Sequence, residues 1–408
     1  MAVRGHPCHP RVSAATVSAM TPVEAPAGTG PRPWAEPPAG YLDAVGGQPL
    51  LPAARQAWLA ASDQAWSDPA RLHHAGRRAG LVLDAARSSV ATGLGVTRDE
   101  VFWTTSGPTA VAVGLQGLVG RARSSGRSTR VVASSVESLA VLNPLGALGV
   151  EVDQVRVDGT GRIDLVDLDR ALALPCAVVA VQAASPEVGT RQPLDAVHAR
   201  TRAAGAPLLV HAVQVIGRGP VPTDWDLLAI SARDWAGPAG AGVLAVRRDL
   251  HWAPDESPDR GWVGGFPDIP AAAAAATALE QVMPVAGQEA GRAFALTARI
   301  RQVLADSTLG IAVTGDPAER LPHIVTFTCS GVTGEAVVDA LSRRGISVAS
   351  GSACTSDTRM PSQVLAAMGV AADASIRVSL PLGCPEATVD HFLTALPEAL
   401  ADARANLG

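Results

Sequence analysis

The 408-residue chain contains no lysine: all 33 residues counted together as Lys and Arg are arginine. Lysine is ordinarily among the commonest residues of globular proteins. Its absence means that no side chain here can offer a free amine to a carbonyl compound. Arginine stays protonated and is a poor imine-forming nucleophile. Aromatic residues are only 3% of the chain and Tyr41 is the single tyrosine, which leaves little to stack on bases. With a net charge of −5 there is no pull toward nucleic acid or an anionic membrane, so neither partner is expected. The one basic cluster, Arg121 to Arg130, reads as a solvated loop between a helix and a strand.

Cysteine is sparse as well. Cys8, Cys176, Cys329, Cys354 and Cys384 are odd in number, widely spaced and free of any CxxC pair. That excludes a disulfide framework and a zinc finger, and it fits a reducing, cytoplasmic location. No apolar run approaches the ~18 residues of a membrane span, and the N-terminus lacks a charged-then-apolar leader. His6-Pro-Cys8-His9 carries metal-capable groups, but as one short cluster it supports no metal site.

What is present is apolar and patterned. Hydrophobic content is 47%, enough for a substantial core. Residues 1–38 are rich in Pro, Ala and Gly without periodicity and read as a disordered tail, with Met20 open as an alternative start. Residues 58–65 and 79–92 read as amphipathic helices. Short apolar, often β-branched segments then recur near residues 101–105, 129–134, 177–182, 207–212, 227–231 and 242–246, and helix-length stretches separate several of them. That alternation predicts an α/β domain with a mostly parallel sheet over 48–286. Residues 287–408 read as a smaller α+β domain: helix 287–307, strand 324–328, helix 335–344, strand 346–349, helix 361–368, strand 375–379 and helix 386–401. The segment 39–47 is expected to accompany it.

Several motifs carry chemistry. Ser350-Gly-Ser-Ala-Cys354-Thr-Ser places a cysteine among small polar residues. Thr105-Ser-Gly107-Pro-Thr109 is a glycine-containing turn ahead of a helix-length stretch. Val210-His211-Ala-Val-Gln214, Ser231-Ala-Arg233-Asp234-Trp-Ala-Gly237-Pro-Ala-Gly-Ala-Gly242 and Ser375-Ile-Arg377-Val-Ser-Leu complete the set. Together, from Tyr41 onward, these segments resemble the cysteine desulfurases of the class V aminotransferase family. The resemblance implies a type I fold for enzymes dependent on pyridoxal phosphate (PLP). It also implies a homodimer with sites at the subunit boundary.

Residue by residue, the resemblance implies an eroded cofactor site. Asp234 stands where the family carries its Schiff-base lysine, and Arg233 where it carries the adjacent histidine. His211 replaces the aspartate that pairs with the pyridinium nitrogen, Ser138 the histidine that stacks on the ring, and Phe266 a threonine that reaches the partner subunit's phosphate. Thr109, Gln214 and Ser231 remain as cofactor-binding positions, Arg377 as the clamp for a substrate carboxylate, and Cys354 as the persulfide cysteine. No covalent aldimine is expected, and PLP only if it binds without one.

Four functional readings stay open at this point. The chain is a pseudoenzyme serving as scaffold or regulator of an active desulfurase or its sulfur acceptors. Or it carries a persulfide on Cys354. Or it works as a desulfurase or aminotransferase with non-covalent PLP. Or His211 and Asp234, with Glu187 nearby, form a new His–carboxylate pair, either chemically active or merely neutralising an abandoned pocket.

Overall fold

Short, β-branched apolar runs form strands where both faces are covered, and the larger sheet shows this. The computed structural model describes residues 33–252, 260–350, 362–372 and 374–405. Among these, seven strands form one sheet: β1 (Val101–Thr104), β2 (Val131–Ser134), β3 (Val152–Val155), β4 (Val178–Gln182), β5 (Leu208–His211), β6 (Leu227–Ser231) and β7 (Gly242–Val246), in the order β1-β7-β6-β5-β4-β2-β3. Neighbours from β3 through β6 pair in parallel, while β7 runs antiparallel between β6 and β1. Residues of β2, β4, β5, β6 and β7 are buried throughout.

Strand β3 has no strong sequence signal. It is an edge strand, and its Val-Asp-Gln-Val pattern faces solvent in part. Asp153 in it holds Arg130 at 2.8 Å and Arg170 at 3.0 Å. Arg130 therefore departs from the solvated-loop expectation. It is buried, and it also donates to the carbonyls of Ala171 and Leu174.

Helices cover both faces: α1 (Pro52–Gln64), α2 (His74–Leu94), α3 (Gly107–Ser124), α4 (Leu139–Leu148), α5 (Leu165–Leu172), α6 (Leu194–Ala203) and α7 (Ile269–Val282). The first two begin earlier than periodicity suggests. Pro52 opens α1 with a preset φ, and the His73 side chain caps α2 by accepting from the Gly76 N–H. Helix α4 was masked in the sequence by Pro144 in its interior. Helix α7 is mostly alanine on its buried side, so its backbone lies close against α1 and α2.

Helix α7 continues through a 3-10 turn into α8 (Ala286–Ala305). This stretch, Ile269–Ala305, is long and apolar enough to cross a membrane, contrary to the sequence expectation. More than half of its most apolar window is buried inside the protein, as in a core helix.

The remaining elements build a second sheet: β8 (Ile311–Thr314), β9 (Ile324–Cys329), α9 (Gly334–Ser342), β10 (Ala349–Ser350), α10 (Gln363–Ala367), β11 (Ser375–Ser379) and α11 (Glu386–Ala405). Its strand order is β10-β11-β9-β8, all antiparallel. Strand β8 is half exposed at the edge and was not evident from hydropathy. Leu42, Phe327, Ile376, Val378 and Phe392 are fully buried in its core. Tyr41 bridges to Ser347 and Asp43 to Ser379, so the segment before α1 adds to this sheet. Burial pushes the Cys329 and Cys384 thiols up to about 11, and raises half-buried Cys176 as well. Cys8 and the reactive-cysteine candidate Cys354 lie outside the described residues, as does nearly all of the N-terminal tail.

Candidate functional site

A cavity of about 610 Å³ opens at the C-terminal ends of β5 and β6, beside the N-terminus of α3. Clefts at that edge of an open α/β sheet are where such folds place ligands. Two close approaches build one wall. A side chain on Gly107 would meet the Ser231 Cβ at 2.8 Å, and one on Gly242 would meet the Gly107 backbone nitrogen at 2.7 Å. Glycine at both positions lets the β1–α3 junction sit directly against the end of β6.

The α3 terminus is capped from within. The Ser106 hydroxyl accepts from the Thr109 N–H at 3.1 Å and shares a hydrogen bond with the Thr109 hydroxyl at 2.8 Å. Ser231 lines the cavity, is 7% exposed, and its hydroxyl has no partner among the described residues. Arg233 adds a cation at the rim and donates to the Gly46 carbonyl. Thr109, Gly107, Ser231 and Arg233 thus bring hydroxyls, a helix N-terminus and a cation to the cavity lining.

Asp234 supplies the opposite character. It lies on a 3-10 turn, Ala232–Trp235, that directly follows β6. The indole of Trp235 donates to the Ala275 carbonyl at 3.0 Å and pins the turn to α7. Gln48 ties it from the other side, donating from one amide to the Asp234 carbonyl oxygen at 3.0 Å and accepting from Arg218 at 3.0 Å.

The Asp234 carboxyl is 2% exposed and accepts twice from Gln214, from its backbone N–H at 2.9 Å and its side-chain amide at 3.0 Å. Gln214 sits at φ +64°, a left-handed conformation that presents both donors to one carboxyl. Because its amide nitrogen faces Asp234, its oxygen accepts from His323 Nε2 at 3.0 Å, which places the His323 proton on Nε2. Burial raises the Asp234 carboxyl to about 7 against the pull of the Gln214 N–H, Arg233 and Arg218. Burial holds fully buried His323 well below the usual imidazole range, and Arg218 and Arg191 add to the effect.

His211 ends β5 and also lines the cavity. It is 3% exposed, and burial lowers it to about 4, so it is neutral at pH 7. Its Nδ1 lies 3.4 Å from the Ser138 hydroxyl. The His211–Asp234 pair, one of the readings left open by the sequence, does not form: both groups line the same cavity, but each contacts a different neighbour. Glu187 is buried and accepts from the Ser362 hydroxyl.

Arg377 on β11 is buried and ion-paired with Asp43 at 3.3 Å, not part of the cavity lining. Phe266 is 85% exposed on a loop behind Gly264 and Gly265. His323, Arg218 and Gln48 carry no motif. They are distant in sequence, and only packing reveals that they hold the Asp234 turn.

A sequence model of the aminotransferase class-V family matches residues 41–392. A cysteine desulfurase of Cereibacter sphaeroides is 33% identical over 90% of this chain and 96% of its own length. One from Gluconacetobacter diazotrophicus is 32% identical, covering 89% and 94% respectively. The chain belongs to the class V aminotransferase family, as a cysteine desulfurase-like member. A NifS-like protein of known structure superposes with a TM-score of 0.81 at 26% identity, over 89% of this chain and 99% of the other. A NifS-like protein from Rickettsia africae gives 0.79 at 21% identity, over the same shares of the two chains.

The family is PLP-dependent, so the cavity of this member can be tested against that cofactor. The close-packed Gly107 turn with the Thr109 and Ser231 hydroxyls and the Arg233 cation fits a phosphate. The cavity does not fit a Schiff base: it presents the carboxyl of Asp234, and the chain has no lysine. Neutral His211 cannot supply the negative charge that keeps a pyridinium protonated.

Proposed function

We propose that this class V aminotransferase family member has lost Schiff-base catalysis and acts as a non-catalytic scaffold or regulator in sulfur transfer. The observation that carries this reading is Asp234, a buried carboxyl on the cavity wall of a chain without lysine. A carboxylate cannot form an imine, and the general-base role that a lysine amine would fill is vacant too. The test is borohydride reduction of the protein with excess PLP, followed by intact-mass measurement and an assay of sulfide release from cysteine. No pyridoxyl adduct and no turnover are expected. Asp234→Lys is expected to gain the adduct but less than a hundredth of a desulfurase's turnover, because His211 still leaves the pyridinium unpaired. Turnover by the wild-type protein would sink the proposal.

The same reading expects a homodimer. Trp66, Leu72 and Leu81 are 73%, 85% and 69% exposed on or beside α1 and α2, and Phe266 is similarly bare. Apolar side chains of this size in one region favour a protein partner over solvent. Light scattering is expected to give twice the 41.6 kDa chain mass, and Trp66→Glu with Leu72→Glu to shift it toward one. A wild-type monomer at micromolar concentration would contradict this.

A further inference from the structure

The one basic run of the sequence, Arg121 to Arg130, divides in the structure. Arg130 is buried and paired with Asp153. Arg123 donates to the Leu148 carbonyl and Arg121 to the His251 carbonyl. The Arg127 guanidinium has no hydrogen bond or ion pair among the described residues. The local fold explains its position. Gly126, at φ +63°, closes α3: its N–H donates to the Arg123 carbonyl at 3.2 Å, and the Arg127 N–H to the Ala122 carbonyl at 2.8 Å. That turn folds the chain back onto the helix and sets Arg127 beside Ala122. It also satisfies late carbonyls of α3, which then need no outside donor.

Arg121 and Arg127 line a second cavity, of about 180 Å³. Leu118, Ala122, Ala177, Pro207 and Leu250 give it apolar surface, Ser128 adds a hydroxyl and half-buried Cys176 a thiol. None of the described lining residues is acidic. Ala177 precedes β4 and Pro207 precedes β5, so this is the N-terminal edge of the parallel strands, opposite the edge that holds the Asp234 cavity. Helix α3 serves both cavities, through Thr109 at one and Arg121 at the other, about 18 Å apart along its axis. We propose that this second cavity is a ligand site for a short aliphatic carboxylate. Its carboxylate pairs with Arg127 and Arg121, and its alkyl chain lies on the apolar lining. An unpartnered guanidinium matches a planar carboxylate in paired, charge-assisted hydrogen bonds. Arg121 retains donors beyond the one given to His251. Two arginines repel a cationic ligand. Apolar lining favours a ligand with carbon to bury over a fully hydrated inorganic anion. A volume of 180 Å³ holds about six non-hydrogen atoms at ~30 Å³ each, the size of butyrate.

Butyrate is the probe, butyramide its uncharged counterpart, and inorganic phosphate the anion without an alkyl chain. Calorimetry on the full chain supplies the dissociation constant. Iodoacetamide alkylation of Cys176, mapped by mass spectrometry, reports occupancy because that thiol lines the cavity. Burial raises the thiol above its ordinary value, so labelling is run at mildly alkaline pH. Butyrate at about four times its dissociation constant is expected to slow Cys176 labelling about fivefold, since only the empty site reacts. Butyramide, and phosphate at matched ionic strength, are expected to leave the rate unchanged. Arg127→Gln is expected to lose the protection by butyrate. Its side chain is exposed, and the comparison of butyrate with butyramide uses wild-type protein, so the test stands even if the variant folds poorly. Equal protection by butyramide or by phosphate overturns the assignment to a carboxylate. A Cys176 that butyrate fails to protect, or that never labels in the native protein, overturns the site. So does full protection in a folded Arg127→Gln variant.

Discussion

Gly242→Ala is expected to cost about 3 kcal/mol of folding stability, the upper end of an overpacking penalty. Gly242 opens β7 and is pinned on both sides, paired with Ser231 of β6 and Thr104 of β1. A methyl group there would overlap the Ser106 carbonyl and lie 2.7 Å from the Gly107 nitrogen. These are backbone atoms of the β1–α3 junction and cannot rotate away. The junction must shift, carrying the α3 N-terminus from its place beside Ser231. Gly240→Ala, with nothing near its added methyl, is the control and should stay within about 0.5 kcal/mol of wild type. Urea unfolding of both variants beside wild type checks this. A Gly242→Ala protein as stable as the control would show that the junction is softer than its packing indicates.

Asp234→Asn is expected to change how stability depends on pH, shifting the balance toward the variant by about 3 kcal/mol between pH 5 and pH 8. The folded carboxyl titrates at about 7, against 3.8 when unperturbed. Between those values the native state keeps a proton that the unfolded chain gives up. Asp234's contribution is therefore complete below pH 3.8 and is lost as pH rises to about 7. From pH 5 to 7 that is two pH units at about 1.4 kcal/mol each.

Glu137 acts in the same direction, since full burial raises it to about 8. His211 acts oppositely: burial lowers it from 6.5 to about 4, so its neutral native form gains stability as pH climbs through that window. Asparagine cannot ionise, so the variant loses only the Asp234 term, and any pH-independent cost of disturbing Gln214 leaves the slope unaffected. Urea midpoints measured from pH 5 to 8 give the slope directly. Parallel pH profiles for the two proteins would mean that Asp234 is ionised and solvated in the folded state.

The sequence alone determined the family resemblance, the apolar strands of the central sheet and the chemical fact that matters most, a chain without a side-chain amine. Each is local or compositional. A β-branched run buried on both faces needs no knowledge of its neighbours, and no packing can create a missing functional group. The glycines at 107 and 242 likewise stood out in the motifs that carry the resemblance before any contact was seen.

Tertiary structure decided the rest. The edge strands β3 and β8 were weak in hydropathy because one side of each meets solvent, and pairing made them strands. Arg130 looked like a surface charge until Asp153 and three carbonyls enclosed it. A pairing of His211 with Asp234 was open from the sequence, yet one turned to Ser138 and the other to Gln214. Gln214's left-handed backbone conformation aims two donors at Asp234, and the orientation of its amide in turn fixes the proton on His323. Arg377 keeps the family's sequence context but spends its charge on Asp43. Such choices follow from low-dielectric burial, where each polar group takes the partner that packing brings within hydrogen-bond reach. Those partners come from segments up to 334 residues apart, so no local pattern in the chain encodes them.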